Sequence, residues 1–102
     1  KLHGPSVFYG EAGQILVQSW FLEGIQQGRY LSFYASGHKC SYQRFKNGLW
    51  HGLQEYWYDN GAVKTQMVYK DGELNGEVKL FYPSGVLKRQ LFFEQGKFVN
   101  SN

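Results

Sequence analysis

The chain has 102 residues, a length that suits one domain, and its net charge of +3 is too mild for a nucleic-acid binder. Hydrophobic residues make up 42% and aromatics 19%, which excludes disorder and predicts a core built largely from rings. No apolar run approaches the roughly 18 residues of a membrane helix, no signal-peptide pattern is present, and the lone Cys40 excludes an internal disulfide.

Glycine sets the organisation. Gly4, Gly28, Gly52 and Gly76 are 24 residues apart, as are Gly13, Gly37, Gly61 and Gly85, and Gly24, Gly48, Gly72 and Gly96. Only Gly10 lies outside these three phases. Aromatics keep the same register, with Tyr9, Phe33, Trp57 and Phe81 in one column and Phe21, Phe45, Tyr69 and Phe93 in another. The chain therefore reads as four copies, about 1–24, 25–48, 49–72 and 73–96, in a single repeat domain. It opens at KLHG, already inside a repeat, and so is expected to be a fragment of a longer protein.

Taken in order, the first copy carries the turn Glu11-Ala12-Gly13 and the second Ala35-Ser36-Gly37. The third is the clearest: Gly52 to Tyr58 reads as an aromatic-rich strand, Asp59-Asn60-Gly61 as a turn, and Ala62 to Tyr69 as a second strand. Asp and Asn suit a type I turn, and Gly61 takes the positive φ of a closing bulge. In the fourth copy the turn is Pro83-Ser84-Gly85, where the fixed φ of Pro83 is an advantage. Each copy is thus a β-hairpin, with a Gly-bounded connection of three residues leading into the next.

Glycine at least every eleven residues or so disfavours helix, each costing ~1 kcal/mol in a helix interior. Val63, Thr65, Met67 and Tyr69 alternate with Lys64 and Gln66, so one face is more apolar than the other. The fold class is all-β: about eight strands in an elongated, twisted antiparallel sheet, each hairpin needing a neighbour to bury its face. Residues 97–102 begin a fifth copy with Asn100 where Gly is expected and Phe98 in phase with Leu2, Trp50 and Leu74. This tail is expected to act as a partial cap. The N-terminal edge carries none, leaving a strand open to self-association.

These residues resemble the MORN repeat, most closely its bacterial variant in proteins labelled as antitoxin-like. The resemblance runs through NGLWHGLQEYWYDNGAVKTQMVYKDGELNGEVKLFYPSG and spans 1–102, with departures at Gly10 and Asn100. It implies a solenoid-like scaffold for protein interaction or a membrane-associating module, without catalysis.

No motif of a catalytic or metal site emerges. His3 and His51 share a phase two copies apart, about 19 Å if strands lie ~4.8 Å apart, too far to share a metal. Cys40 and His38 could share a face, but no acid lies near them in that copy. The glycines lack the G-K-[ST] ending of a phosphate loop, and turn geometry accounts for the twelve in phase. No cofactor is expected.

Function is sought instead in what does not repeat. Trp20, Tyr30, Tyr42, Trp50 and Tyr56 are aromatic where sister copies carry Arg44, Gln54, Gln18, Gln26 or Ser32. The charge is also uneven: residues 25–48 hold Arg29, Lys39, Arg44 and Lys46 with no acid. The candidate partner-binding strip is therefore Arg29, Tyr30, Lys39, Tyr42, Arg44 and Trp50. A protein partner is the first reading. Anionic phospholipid on the basic second copy is the alternative, and toxin neutralisation follows from the family label alone. The compartment stays open, with cytoplasmic or membrane-peripheral locations favoured.

Overall fold

The computed structural model describes residues 4–101; Leu2 and His3, noted above for their phase, lie outside the described residues. The fold is all-β, one open antiparallel sheet without helix among the described residues. Its strands are β1 (Gly4–Tyr9), β2 (Ile15–Leu22), β3 (Ile25–Phe33), β4 (Lys39–Lys46), the short β5 (Leu49–Trp50), β6 (Gly52–Trp57), β7 (Val63–Lys70), β8 (Glu73–Phe81), β9 (Leu87–Glu94) and β10 (Lys97–Ser101). Spatial order follows chain order, with β5 attached to β4 beside β6. There are ten strands rather than eight, because the third copy breaks one strand at His51 and the tail adds β10.

Two kinds of turn alternate. Within a copy, the Gly13, Gly37, Gly61 and Gly85 amides each donate to the carbonyl three residues back, at 2.8–3.0 Å. Gly61 has the positive φ, 91°, that a closing bulge requires. Between copies the reversal differs from the sequence expectation. It is a two-residue turn, and in the second strand–strand connection the central residues Glu23 and Gly24 have φ of 52° and 81°. Positive φ at both positions is the type I′ geometry that matches strand twist. The three-residue stretch that follows is not a connection; β3 and β8 continue through Gly28 and Gly76, which have φ of 68° and 127° where the register with the preceding strand shifts.

Those glycines answer to the aromatic column. Gly4 lies opposite Phe21, Gly28 opposite Phe45, Gly52 opposite Tyr69 and Gly76 opposite Phe93. Eight of the twelve thus close turns, and the other four, also at positive φ, stand within the sheet opposite a ring.

The sheet measures 42 × 33 × 12 Å, a single layer. No second layer covers either face, so the predicted core of rings does not form. Val78 is the one buried apolar residue among those described, whereas Ser19, Ser41, Gln43 and Gln54 are all buried. Cross-strand register puts Ser19, Tyr30 and Gln43 in one row and Met67, Val78 and Leu91 in its continuation beyond Gln54. The rings flank this row half-buried, as in the edge-to-face pair Trp50–Tyr69 at 4.9 Å.

Neighbouring hairpins are also strapped at their turn ends. The Tyr34 hydroxyl donates to the Trp57 carbonyl, and that of Tyr58 to the Phe81 carbonyl, both at 2.7 Å. In the first copy the same phase holds Gly10, and the Gln14 side chain lies where a Cβ would project. At the far end β10 pairs with β9, its Phe98 ring edge-on to Phe93 at 5.8 Å. β1 and β10 form the two sheet edges, with Phe8 and Phe98 exposed.

Candidate functional site

The site grows from the pleat. Along β4, Cys40, Tyr42, Arg44 and Lys46 project to one face, while Ser41, Gln43 and Phe45 project to the face of the buried row. Register places Arg29 of β3 directly opposite Arg44. Trp20 of β2 occupies the same 24-residue column as Arg44 and lies across β3 from it. Trp20, Gly28, Arg29, Tyr42 and Arg44 line an open groove of about 470 Å³.

Both guanidiniums rest on rings. The Arg29 Cζ lies 4.5 Å from the centroid of Trp20, and the Arg44 Cζ 3.9 Å from that of Tyr42. Such cation–π contacts contribute about 0.5–1 kcal/mol at exposed sites and more when desolvated. They matter here for geometry, because each guanidinium is held over a ring in the groove wall.

Arg44 is the more tightly fixed of the two. Its Nη1 donates to the Leu53 carbonyl at 2.6 Å and approaches Glu55 Oε1 at 3.3 Å. Its backbone is held by Gln54, whose Oε1 accepts from the Arg44 amide at 2.7 Å and whose Nε2 donates to the Arg44 carbonyl at 2.9 Å. The Arg44 carbonyl also accepts from the His51 amide at 2.9 Å, so at the break the Gln54 side chain supplies the partner of the Arg44 amide and a second donor to its carbonyl. Arg29 is exposed and opens to the groove beside its ring contact with Trp20. With Glu55 facing Arg44, the groove carries two cations and one carboxylate.

The six sequence candidates do not share one face. Arg29, Tyr42 and Arg44 meet in the groove. Tyr30 stands opposite Ser19 and Gln43 on the other face, in the buried row. Trp50 pairs with Phe45 on that face too, and packs edge-on against Tyr69. Lys39 lies near the turn end of the sheet, its Nζ 4.8 Å from the Trp57 ring centroid. The residue absent from that set is Trp20, although its shared column with Arg44 was a readable signal once β3 is placed between β2 and β4.

A second polar cluster stands at the stacked turns, where His38, with no acid in its own copy, meets one from the next. Asp59, from the turn of the next copy, accepts from Ser36 Oγ at 2.6 Å and lies 3.1 Å from His38 Nδ1. The Ser36 hydroxyl bond, more than the neighbouring imidazole, holds the Asp59 carboxyl below its usual range. Because Ser36 and His38 both address Asp59, the serine proton points away from the imidazole, and no nucleophile–base relay is formed. At the opposite turns His51 Nδ1 accepts from the Asp71 amide at 3.1 Å, just as Asn75 Oδ1 accepts from that of Gln95. Its nearness to the Asp71 carboxylate, 3.5 Å, is secondary to that bond. Among the described residues no group of His, Cys, Asp or Glu is placed to hold a metal.

Comparison with known proteins adds the family. The sequence model of the MORN repeat variant matches residues 50–71 and 74–95. No curated protein is matched by the chain. The matched segments cover the third and fourth hairpins, and the first two keep the same glycine phases and turn bonds. Residues 50–71 and 74–95 thus carry MORN repeats of the variant type, a family that suggests a repeat-based interaction or binding module.

Proposed function

We propose that the chain is a non-catalytic scaffold that holds a protein partner against the face formed by β2, β3 and β4. The observation that carries this reading is the groove itself: two directly opposed arginines, each laid on a ring, on a face without a covering layer. Like charges directly opposite are unfavourable in a sheet, so their presence is explained by something that binds them. Trp, Tyr and Arg are the residue types that dominate binding hot spots. Each groove side chain also departs from its sister copies: Tyr42 stands where Gln18, Gln66 and Gln90 recur, and Arg44 where Val68 and Phe92 occur.

Anionic lipid is the competing reading. The basic side chains of the second copy are spread along one face, with Lys39 by Trp57 at the turn end and the arginines in the groove, and Glu55 offsets part of the charge of Arg44. A flat membrane would meet this charge but could not enter the ring-lined groove, whereas a protein segment can, and this favours a protein. Toxin neutralisation is one form such protein binding could take, and it rests on the family label.

The test uses substitutions drawn from the other copies. Tyr42→Gln and Arg29→Leu, the latter copying Leu53, keep residues the sheet already accommodates. Native-source proteins retained by the immobilised wild type at ~0.5 M salt, and released by both variants, support the reading, since exposed-charge attraction fades over that range. Equal retention by wild type and variants overturns it. Salt-sensitive co-sedimentation with anionic liposomes, lost in Arg29→Glu/Arg44→Glu, would put lipid in its place.

A further inference from the structure

Resting on that reading, we propose that the Trp20–Arg29–Arg44–Tyr42 groove is a receptor for one carboxylate, an Asp or Glu side chain on an extended segment of the protein partner.

Charge sets the ligand class. Arg29 and Arg44 bring two positive charges, and Glu55, 3.3 Å from Arg44 Nη1, removes one. The remaining single charge matches a carboxylate; a phosphoryl group, with nearly two negative charges, would be left half-compensated against Glu55. Shape agrees with charge. Each guanidinium is anchored over a ring, and the planar fork of an arginine suits a planar carboxylate bound in two-point fashion. Arg44 commits Nη1 to Leu53 and Glu55, so its remaining N–H groups and those of Arg29 are the donors left for the ligand. The two are brought together by the direct Arg29–Arg44 register.

The floor of the groove admits a backbone. Gly28 lines the groove without a side chain, so bare backbone is exposed there. An extended segment can therefore lie over Gly28 with its acidic side chain between the arginines and its neighbours against Trp20 and Tyr42. The wall opposite Trp20 is built by Tyr42, found in no other copy, so the receptor exists once in the chain.

The experiment is a titration of the labelled full chain, followed by amide, arginine Nε–H and tryptophan indole resonances. The probes are the peptide acetyl-Gly-Ser-Glu-Val-Gly-amide, its Glu→Gln analogue, acetate and inorganic phosphate. The expected result is that the Glu peptide shifts the Arg29 and Arg44 Nε–H and the Trp20 indole signals and binds at least about tenfold tighter than the Gln peptide. Acetate should move the same arginine signals more weakly. Arg29→Leu and Tyr42→Gln should each weaken the Glu peptide about tenfold, and their amide spectra outside β2–β4 verify that the sheet is intact.

Equal binding of the Glu and Gln peptides overturns the assignment, as do shifts confined to residues outside the groove. Tighter binding of phosphate than of acetate overturns it in favour of a phosphoryl ligand. If no probe binds but partner retention remains sensitive to Tyr42→Gln, the carboxylate assignment falls and the protein-binding reading stands.

Discussion

Gln54 holds Arg44 from both sides of its peptide, accepting from the amide at 2.7 Å and donating to the carbonyl at 2.9 Å. Gln54 is fully buried, so these bonds have no ready substitute in water. Removing one partner of a buried bond costs about 1–3 kcal/mol, and here the Arg44 amide is orphaned while its carbonyl keeps the His51 amide at 2.9 Å. Gln54→Leu should therefore lower stability by about 1–3 kcal/mol. Urea unfolding checks this; a change below ~0.5 kcal/mol, the scale of an ordinary surface substitution, would mean that water replaces the amide.

The opposed arginines give a prediction of the reverse sign. Arg29→Leu should leave the free chain as stable or up to ~0.5 kcal/mol more stable, because a like-charge pair is removed while Arg44 keeps Glu55. Its partner binding should fall at the same time. Thermal unfolding of the free chain in low and high salt separates the two effects, the stabilisation shrinking as salt rises.

Turn chemistry offers stabilising changes. The first residues of the two-residue turns are Glu23, Asn47, Asp71 and Gln95, with φ between 49° and 53°. Asn and Asp tolerate this region, whereas Glu and Gln do so less readily. Glu23→Asn and Gln95→Asn should each add about 0.5 kcal/mol, on the scale found for relieving backbone conformations. Melting temperatures of the single and double variants measure this, and additivity is expected because the two turns are far apart.

Stability should also change with pH at both extremes. Burial raises the Tyr34 hydroxyl above its usual range, assisted by a hydrogen bond with Cys40, and burial likewise raises Tyr56. A raised folded pKa favours the neutral phenol in the native state. The contribution is complete below about pH 10 and is lost as pH rises through the folded value. Asp59 behaves oppositely: its lowered pKa gives stability that is present above about pH 4 and lost as pH falls through the folded value. Tyr34→Phe should flatten the alkaline limb, and Ser36→Ala the acid limb, of stability plotted against pH.

How much of this was legible depended on range. The fold was readable because its determinants are local and periodic: Gly61 closes a turn, Gly52 faces Tyr69, and both recur every 24 residues. The type I′ reversal was less readable, since Glu23 and Gln95 do not announce a left-handed conformation. The binding face escaped for a different reason. Tyr30 and Arg29 are adjacent in sequence, yet a strand turns them to opposite faces, and only cross-strand register decides that Arg29 joins Trp20 and Arg44. The expected ring core failed because ring packing between layers needs a second layer, and this sheet is one layer thick.

The missing strap at Gly10 has a consequence for how the molecule opens. Tyr34 and Tyr58 tie their hairpins to the next, whereas the first hairpin, β1–β2, has no phenol at the corresponding position. In a sheet where each strand touches only its sequence neighbours, local unfolding proceeds in such units. Amide hydrogens of β1 and β2 should exchange faster than those of β6 to β9. Gly10→Tyr combined with Gln14→Ala should slow them by roughly fivefold, the kinetic equivalent of one ~1 kcal/mol hydrogen bond. Trp20 rides on that hairpin, so one wall of the groove belongs to the first unit to come loose while the other is anchored in the body of the sheet.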